Sequence, residues 1–347
     1  MTIAQHKTSV LAPIAPSIVA MDIPVSLVIP VRDEEASIDA LLATIAAQTY
    51  PPAEVIFVDG GSTDHTVERL RIAGESDSRM RVLAAGPATP GRGRNVGISA
   101  AANSWIALTD AGIQLEPDWL ERLVAVIRAD PEVDVVHGSF EPVTRTFFQH
   151  CVALCTIAPK HDTPSGRASP KFIASTMLRK RVWQSVGGFP DQRAGEDLTF
   201  MESTVRDGFK IGWAPDARVW WQMQPNLSRT FRRFQNYSYH NVLAGRQWDW
   251  HYGIARMYVV IVPFLIFGFV NSLWWLCVPL VGACLRILMT IWSRREGRGW
   301  AWAINPYRFL GVFAALVVLD AAMYAGWIQA TLRRLRSWMI ARRERRR

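Results

Sequence analysis

Short apolar runs alternate with longer amphipathic segments through the first third of the chain. Four runs rich in β-branched and aromatic residues predict strands, at residues 25–29, 55–58, 81–85 and 105–109. Between them, apolar residues recur at helical spacing, as in Ile38, Leu41 and Ile45. Runs that are apolar throughout suit strands buried on both faces. The repeated strand and helix units therefore predict an α/β domain with a mostly parallel sheet.

Three of these predicted strands are followed closely by an aspartate, namely Asp33, Asp59 and Asp110. A single aspartate after a strand most often forms a turn or caps a helix. Because the carboxyl ends of parallel strands open into one crevice, three aspartates there predict a ligand site instead. Residues 60–64 are expected to supply a tight glycine turn and then the N-caps of the next helix.

A glycine-rich segment follows the third predicted strand, with glycines at 91, 93 and 97. Its spacing, G-x-G-x-x-x-G, and its position after the third strand differ from the dinucleotide fingerprint, which argues against a nicotinamide site. Arg92 and Arg94 within it suit an anionic ligand, because a guanidinium group matches phosphate oxygens. A solvated basic turn is the alternative.

The next part of the chain continues with less regular elements. We predict a helix over residues 117–129, strands over 133–140 and 172–178, a polar loop over 141–170, a short helix over 179–186, and a glycine turn at 187–190. Glu196 and Asp197 then open another helix, where the helix dipole favours acidic residues for structural reasons alone.

The ordered set of motifs resembles the glycosyltransferase family 2 type of GT-A domain over about residues 24–250. The matching motifs are Val28-Ile-Pro-Val-Arg-Asp-Glu-Glu35, Gln48-Thr-Tyr-Pro51, residues 54–66, Gly93-Arg-Asn-Val-Gly97, Thr109-Asp-Ala-Gly112 with Pro117-Asp-Trp-Leu120, Gly187-Gly-Phe189 and Gly195-Glu-Asp197. Each motif is weak alone, whereas the ordered set is specific. Within the family, the arrangement looks most like membrane-associated enzymes that build bacterial exopolysaccharide on a lipid carrier.

The resemblance implies an inverting transfer of one sugar from a nucleotide sugar, expected to be UDP-linked, to a lipid-linked saccharide in polysaccharide biosynthesis. It implies Asp197 as the general base beside Glu196, and Gly188 and Phe189 at the acceptor. A base is needed because a sugar hydroxyl is a poor nucleophile until a carboxylate takes its proton. The implied nucleotide-binding residues are Pro30, Arg32, Asp33, Glu34, Asp59, Arg92, Arg94, Asn95 and Asp110.

Two features depart from the family pattern. The usual metal motif is Asp-x-Asp, whereas Gly112 stands at the second aspartate position here. Asp110 is therefore the one carboxylate expected to bind Mg²⁺ or Mn²⁺, with the diphosphate supplying further oxygens. No Gln-x-x-Arg-Trp motif follows Asp197, which favours addition of a single sugar over a processive synthase.

Two alternative functions remain open from the sequence. The first is transfer to polyprenyl phosphate itself. The second, from a different class, is a non-catalytic, membrane-anchored subunit that binds a sugar nucleotide, which the glycine at position 112 suggests. Retention of Glu196 and Asp197 argues against this second alternative, because a binding protein has no need of a base.

The last hundred residues contain apolar stretches of membrane type. Residues 257–285 carry no charged side chain and residues 309–330 carry only Asp320. Both exceed the roughly 20 residues that cross a bilayer. Asp320 is expected to contact Arg286, the acceptor or a neighbouring helix.

We expect two crossings, with a break at Asn271-Ser272 offering three as the alternative. A nucleotide-sugar enzyme needs its soluble domain in the cytoplasm, and two crossings keep the arginine-rich tail there too. The predicted location is thus the inner, cytoplasmic membrane. Two crossings would leave Arg294, Arg295 and Arg298 on the far side.

The charge distribution and the predicted domains also separate the α/β part of the chain from its membrane part. The net charge is +9, but residues 331–347 carry eight arginines against one glutamate, so basicity does not indicate nucleic-acid binding. The expected partners are the bilayer, the nucleotide sugar, the polyprenyl-linked acceptor and other polysaccharide-assembly proteins. The predicted domains are a flexible leader (1–23), a GT-A-like domain (24–250), a membrane region (251–330) and a basic cytoplasmic tail (331–347).

Overall fold

The computed structural model describes residues 22–344, so most of the predicted leader and the last three arginines lie outside the described residues. The strands are β1 (Val25–Val31), β2 (Glu54–Asp59), β3 (Met80–Ala84), β4 (Trp105–Leu108), β5 (Ile113–Leu115), β6 (Val135–Val143), β7 (His161–Thr163), β8 (Gly166–Ala168), β9 (Thr176–Arg179) and β10 (Ile211–Gln222). The helices are α1 (Ile38–Ala46), α2 (Thr66–Ser76), α3 (Pro90–Ala100), α4 (Trp119–Ala129), α5 (Phe147–Thr156), α6 (Lys180–Ser185), α7 (Glu196–Arg206), α8 (Leu227–Leu243), α9 (Gln247–Val270), α10 (Cys277–Trp292), α11 (Trp300–Ala303) and α12 (Pro306–Glu344).

Eight strands form one sheet in the order β3-β2-β1-β4-β9-β6-β10-β5. The first four strands of this order are parallel, and β9 is antiparallel to both of its neighbours. Two reversals restore the strand direction, so β6 and the parallel β10 point the same way as β4. The carboxyl ends of β1, β2, β4, β6 and β10 therefore lie at one edge. The predicted α/β fold with a mostly parallel sheet is confirmed.

The two faces of this sheet are covered by different helices. Leu27 and Ile29 pack with residues of α1 and α4, whereas the intervening Val28 packs with residues of α3, α6 and α7. Alternate side chains of a strand point to opposite faces, so both faces require apolar residues. This explains why the strand signals are continuous apolar runs.

Pro30 does not end the first strand, which continues to Val31. The pairing of β1 with β4 stops at Val28, whereas its pairing with β2 continues to Val31. In a parallel ladder, residues 28 and 30 direct their backbone polar groups to the same side. Pro30 thus lacks a donor only where β1 no longer has a partner strand, which is where a proline is tolerated.

The predicted polar loop over residues 141–170 is wrong, because it contains α5 and the β7-β8 hairpin. A capping box begins α5, in which the Thr146 hydroxyl accepts from the Gln149 backbone and the Gln149 side chain accepts from the Thr146 backbone. The buried face of α5 meets α10 and α12, more than a hundred residues later in the sequence. Local periodicity gives little sign of so distant a partner.

The apolar stretch expected as one span forms two helices. The helix α9 ends at Val270, and a 3-10 turn at Leu273–Leu276 precedes α10. With α12, three described helices are long and apolar enough to cross a membrane. The part of the basic tail that is described continues α12 as far as Glu344.

The last helix packs along the α/β domain. An added Cβ would lie 2.5 Å from Cys151 Sγ at Gly311 and 2.3 Å from the Gln235 carbonyl oxygen at Gly326. Both glycines therefore allow α12 to approach α5 and α8 closely. Arg294, which follows α10, donates from Nε to the Ile157 carbonyl at 2.5 Å. Arg294 thus contacts the α/β domain, whereas two crossings of the bilayer would separate them.

Candidate active site

The loop after β1 contacts the loop after β2, and an aspartate at the end of each strand accepts a hydrogen bond from the second loop. Asp33 Oδ1 accepts from the backbone N–H of Thr63 at 2.7 Å, and the Asp33 N–H donates to Ser62 Oγ at 3.0 Å. Asp59 Oδ1 accepts from the Ser62 N–H at 2.9 Å. The Thr63 N–H lowers the pKa of Asp33. Both aspartates thus accept hydrogen bonds from one shared loop.

These contacts differ from the expected capping of α2. The hydroxyls of Ser62 and Thr63 bind the β1 loop, and Asp64 alone accepts from the first turn, from Thr66 N at 3.0 Å. Asp64 also accepts from the Glu35 N–H at 3.1 Å. The loop therefore has a defined shape, which requires a φ of 54° at Asp33, a conformation that aspartate tolerates better than most residues.

Other predicted nucleotide-binding residues surround this loop. Arg32 lies 3.6 Å from Asp33, and both side chains are 43% exposed. Glu34 is half-buried, and burial raises the pKa of its carboxyl group. Arg92, in the first turn of α3, is exposed. These residues border the carboxyl edge of β1 and β2.

Arg94 is buried at the crevice and contacts carboxylates from two different elements, the end of β4 and the start of α7. It donates to Asp110 Oδ1 at 2.7 Å and to Glu196 Oε1 at 2.9 Å, and its side chain is only 3% exposed. Burial would lower the pKa of Arg94, but the carboxylates of Asp110 and Glu196 raise it above its usual value. The sequence predicts a ligand for an anion here. The structure instead commits the guanidinium to two carboxylates of the protein.

Glu196 and Asp197 occupy the first turn of α7, as predicted, after Gly195 with a φ of 78°. Burial raises the pKa of Glu196, and this carboxylate faces inward to Arg94. Asp197 accepts from the Leu198 N–H at 2.8 Å and is only partly buried. One of the two adjacent carboxylates is therefore held inside the protein, and the other remains accessible.

The three glycines of the 91–97 segment bring α3 close to the sheet and to the loop before α7. An added Cβ would lie 2.3 Å from the Pro190 carbonyl oxygen at Gly91 and 2.4 Å from Val28 Cγ1 at Gly97. At Gly93 it would lie 3.1 Å from Pro30 Cβ. Close helix packing therefore accounts for this glycine pattern without a dinucleotide.

Asn95 and Phe189 have structural contacts in this conformation. The Asn95 side chain accepts from the Phe189 N–H and the Trp183 indole and donates to the Phe189 carbonyl, each at 2.8 Å. The Phe189 ring is 3% exposed and stacks on Phe200 at 4.0 Å. Both side chains are thus engaged with other parts of the protein. Gly188, with a φ of 80°, belongs to the turn directly before Phe189.

A metal ion would find few protein ligands beside Asp110. No cluster of three or more His, Cys, Asp or Glu side chains suited to a metal occurs among the residues that the structure describes. The Asp110 side chain is 36% exposed and uses Oδ1 for Arg94. An added Cβ at Gly112 would meet no atom within 4 Å, and the backbone there is not left-handed. The residues present fit an ion held by one carboxylate, waters and a ligand.

Two contacts that the sequence analysis missed support α7. Arg246, just before α9, donates to both carboxylate oxygens of Glu202, at 3.0 and 2.7 Å. Thr89 donates to Asp191 at 2.6 Å and thereby links the start of α3 to the loop before α7. Neither contact has a local sequence signal, because its partners are distant in the chain.

The carboxylates at the carboxyl edge of a mostly parallel sheet, covered by helices, define a GT-A-like domain. The model of the glycosyl transferase family group 2 matches residues 105–319, and that of glycosyl transferase family 2 matches residues 26–163. The first match covers more than half of the chain. The chain therefore belongs to the family 2 glycosyltransferases and is an enzyme of that type.

Similar proteins agree with this assignment. Glycosyltransferase AglE of Haloferax volcanii is 28% identical over 202 residues, 55% of this chain and 64% of AglE. The probable glycosyltransferase YdaM of Bacillus subtilis is 23% identical over 222 residues, 60% of this chain and 53% of YdaM. The chain thus covers less than two thirds of either relative.

Among solved structures, the mannosyltransferase PcManGT of Pyrobaculum calidifontis, in complex with GDP-Man and Mn²⁺, has a similar fold. The TM-score is 0.61 at 18% identity, over 90% of this chain and 88% of that one.

Proposed function

We propose that this enzyme transfers one sugar, with inversion, from a nucleotide sugar to a lipid-linked saccharide at the membrane. The observation that supports this proposal best is the Arg94 bridge between Asp110 and Glu196. It joins the end of β4 to the start of α7, and so brings the side of the crevice expected to bind the donor next to Asp197. A single arginine between two carboxylates also leaves a net negative charge, which suits the divalent cation that accompanies a diphosphate.

In this proposal, Asp33 and Asp59 bind the base and ribose, and their shared loop holds them in place before the donor arrives. Asp197 takes the proton from the acceptor hydroxyl as that oxygen attacks the anomeric carbon. The nucleoside diphosphate leaves from the opposite face of the sugar. Glu196 and Arg94 are positioning residues, because their charged groups contact each other and not the reacting atoms.

Asp110 would hold a divalent cation, whose charge would stabilise the diphosphate as it leaves. Mg²⁺ commonly keeps several waters and takes only one or two carboxylates, so a single aspartate is sufficient when the nucleotide is bound. The GDP-Man and Mn²⁺ of the Pyrobaculum enzyme are compatible with such chemistry on this fold. UDP- and GDP-linked donors must therefore both be tested.

We further propose that α9 and α10 enter the bilayer as a hairpin and return to the cytoplasmic side. Two hydrogen bonds support this, because they attach both ends of the hairpin to the α/β domain. His251, at the start of α9, is hydrogen-bonded to Ser238 at 2.6 Å, and Arg294, after α10, donates to the Ile157 carbonyl. The turn between the helices exposes Trp274 at 82%. The last helix would lie along the domain, because Arg333, near its end, bonds Tyr239 of α8.

The topology can be tested with a membrane-impermeant maleimide in a variant whose Cys277 and Cys284 are serine. We expect Ser293→Cys to be labelled only from the cytoplasmic side, where the domain lies. Ser272→Cys should be protected from that side. Labelling of Ser293→Cys from the outside alone would refute the hairpin.

The function itself is tested by offering a panel of UDP- and GDP-linked sugars to the purified full-length protein, with saccharides on polyprenyl diphosphate as acceptors. We expect one donor to be consumed, with product formed and its anomeric configuration inverted by NMR. Retention of configuration would contradict the proposed single displacement. Consumption only with unglycosylated polyprenyl phosphate would select that alternative acceptor.

A further inference from the structure

A second cavity, distinct from the carboxylate crevice, lies between the α/β domain and the loop after α10. Its volume is about 630 Å³, within the range of small-molecule sites. Its walls are the carboxyl ends of β6 and β10, one face of α5, residues 158–169 and the loop at residues 293–298. We call it the interface cavity. None of Asp33, Asp59, Asp110 and Asp197 lines it.

Positive charge predominates in the interface cavity. Its cationic lining residues are Lys160, Arg167, Arg218, Arg294, Arg295 and Arg298. Its acidic ones are Glu141, paired with Lys160, and Glu296, 4.0 Å from Arg298. Within residues 22–344, Arg218, Arg294 and Arg295 have no carboxylate at ion-pair distance. Three cations therefore face this space without a counter-ion.

The protein holds two of these cations in place through neutral groups. Arg294 donates to the carbonyls of Ile157 and Thr290, and burial lowers its pKa. Arg295 donates to the Trp292 carbonyl at 3.0 Å, and its guanidinium lies 3.9 Å from the centre of the Trp292 ring. Both side chains are thus oriented while their charge remains uncompensated, an arrangement that favours an anionic ligand.

The other walls of the interface cavity are apolar and lead toward the membrane helices. Leu154 of α5 lines the cavity and packs in one cluster with Ile287 and Ile291 of α10. On the opposite face of the same stretch of α10, Leu285 and Met289 are 53% and 70% exposed. The site for an anion thus lies at the end of a helix whose outer face is apolar and exposed.

We propose that the interface cavity binds the phosphate or diphosphate head group of a lipid-linked acceptor, with the lipid chain lying along α10. The proposal deepens the proposed function and rests on it. The cavity is at the ends of β6 and β10, two and three strands from β4 in the sheet order. At about 4.8 Å for each strand spacing, the head group lies roughly 10–15 Å from the end of β4, where Asp110 lies. A short saccharide is long enough to span that distance.

The test measures binding of three probes to the full-length protein in detergent by calorimetry: farnesyl phosphate, farnesol and inorganic phosphate. The variants are Arg295→Gln and the charge-preserving Arg295→Lys. The matched control is Arg71→Gln, which removes an exposed arginine from α2. We expect farnesyl phosphate to bind wild type and Arg71→Gln equally, Arg295→Lys nearly as well, and Arg295→Gln at least tenfold more weakly.

The three probes separate the sources of the anion. Inorganic phosphate binding as tightly as farnesyl phosphate would overturn the lipid assignment in favour of a free anion. Equal binding of farnesol would show that the cations contribute nothing, and unchanged binding in Arg295→Gln would place the lipid elsewhere.

A parallel transfer assay should show a raised KM for the lipid acceptor in Arg295→Gln, with an unchanged KM for the donor. An equal KM for the acceptor in Arg295→Gln and Arg71→Gln would also overturn the proposal. Donor binding in the same samples tests the proposed function separately. If wild type bound no nucleotide sugar, the function would fail even where farnesyl phosphate bound as expected.

Discussion

Two arginines with carboxylate partners, the buried Arg94 and the half-buried Arg286, illustrate the difference between the crevice and the membrane helices. Arg94 divides its bonds between Asp110 and Glu196. Arg286 of α10 instead makes a bidentate pair with Asp320 of α12, at 2.5 and 2.8 Å, and Tyr258 of α9 also donates to Asp320. Asp320 thus contacts Arg286, one of the partners that the sequence left open.

The charge balance of the two networks differs. One arginine with two carboxylates leaves a net negative charge beside an accessible Asp197, whereas one arginine with one carboxylate is neutral and closed among three helices. A network with a net negative charge attracts a cation or another positively charged ligand. In a neutral network, each charge is already paired within the protein, and the pair connects helices. The four predictions that follow test this distinction, from the largest expected effect to the smallest.

Replacing the accessible carboxylate should have the largest effect. We expect Asp197→Asn to reduce transfer by about 10²–10⁴-fold, because it removes the general base, while donor affinity stays within a few-fold. Steady-state transfer and calorimetric donor binding measure the two effects. Asp207→Asn, at the other end of α7, is the matched control. Full turnover in Asp197→Asn would exclude this residue as the base.

Breaking the membrane pair should affect stability and spare the nucleotide site. Arg286→Met leaves Asp320 unpaired, which we expect to lower the free energy of unfolding by about 3–5 kcal/mol. The double variant Arg286→Met/Asp320→Leu should recover most of this loss, since it removes both charges. Thermal unfolding in detergent and donor binding are the measurements. If Arg286→Met stayed stable but lost donor binding, the Arg286 pair would serve the ligand site, as the Arg94 network does, and the distinction would fail.

Changes at the strand-end loop should weaken donor binding. We expect Asp59→Ala to lose about 1–3 kcal/mol of nucleotide affinity, because a polar group of the ligand loses its partner. Asp59→Asn retains an oxygen for the Ser62 N–H, and so separates the shape of the loop from its charge. Asp33→Ala should also weaken binding. If calorimetry found wild-type affinity in both alanine variants, the nucleotide would bind elsewhere.

The smallest effect concerns the missing metal ligand. Gly112→Asp adds its side chain to open space on an ordinary backbone, so stability should stay within about 0.5 kcal/mol of wild type. Mn²⁺ should bind the free protein more tightly than in wild type, where we expect appreciable binding only with the nucleotide. Gly112→Ala controls for the added Cβ. Full transfer by wild type after exhaustive chelation would refute the metal requirement.

The sequence predicts elements best where the signals are local. The apolar run of β2 followed by Asp59, and the acidic first turn of α7 after Gly195, depend on neighbouring residues, and the structure confirms these elements. The polar loop predicted at residues 141–170 was wrong over α5, whose buried face contacts α10 and α12. At Arg94, an arginine that suits phosphate is bonded to two carboxylates of the protein, and its contact with Glu196 has no local signal.

By itself, the sequence determined the order of the elements in the first half of the α/β domain, the strand-end aspartates and the family, because each depends on residues close together in the chain. Only the tertiary structure decided which charges are compensated. Arg94 and Glu196 are 102 positions apart, and Arg286 and Asp320 are 34 apart. The uncompensated arginines after α10 likewise emerge only when that loop packs against α5. Charge compensation depends on distance in space, which a linear pattern does not contain.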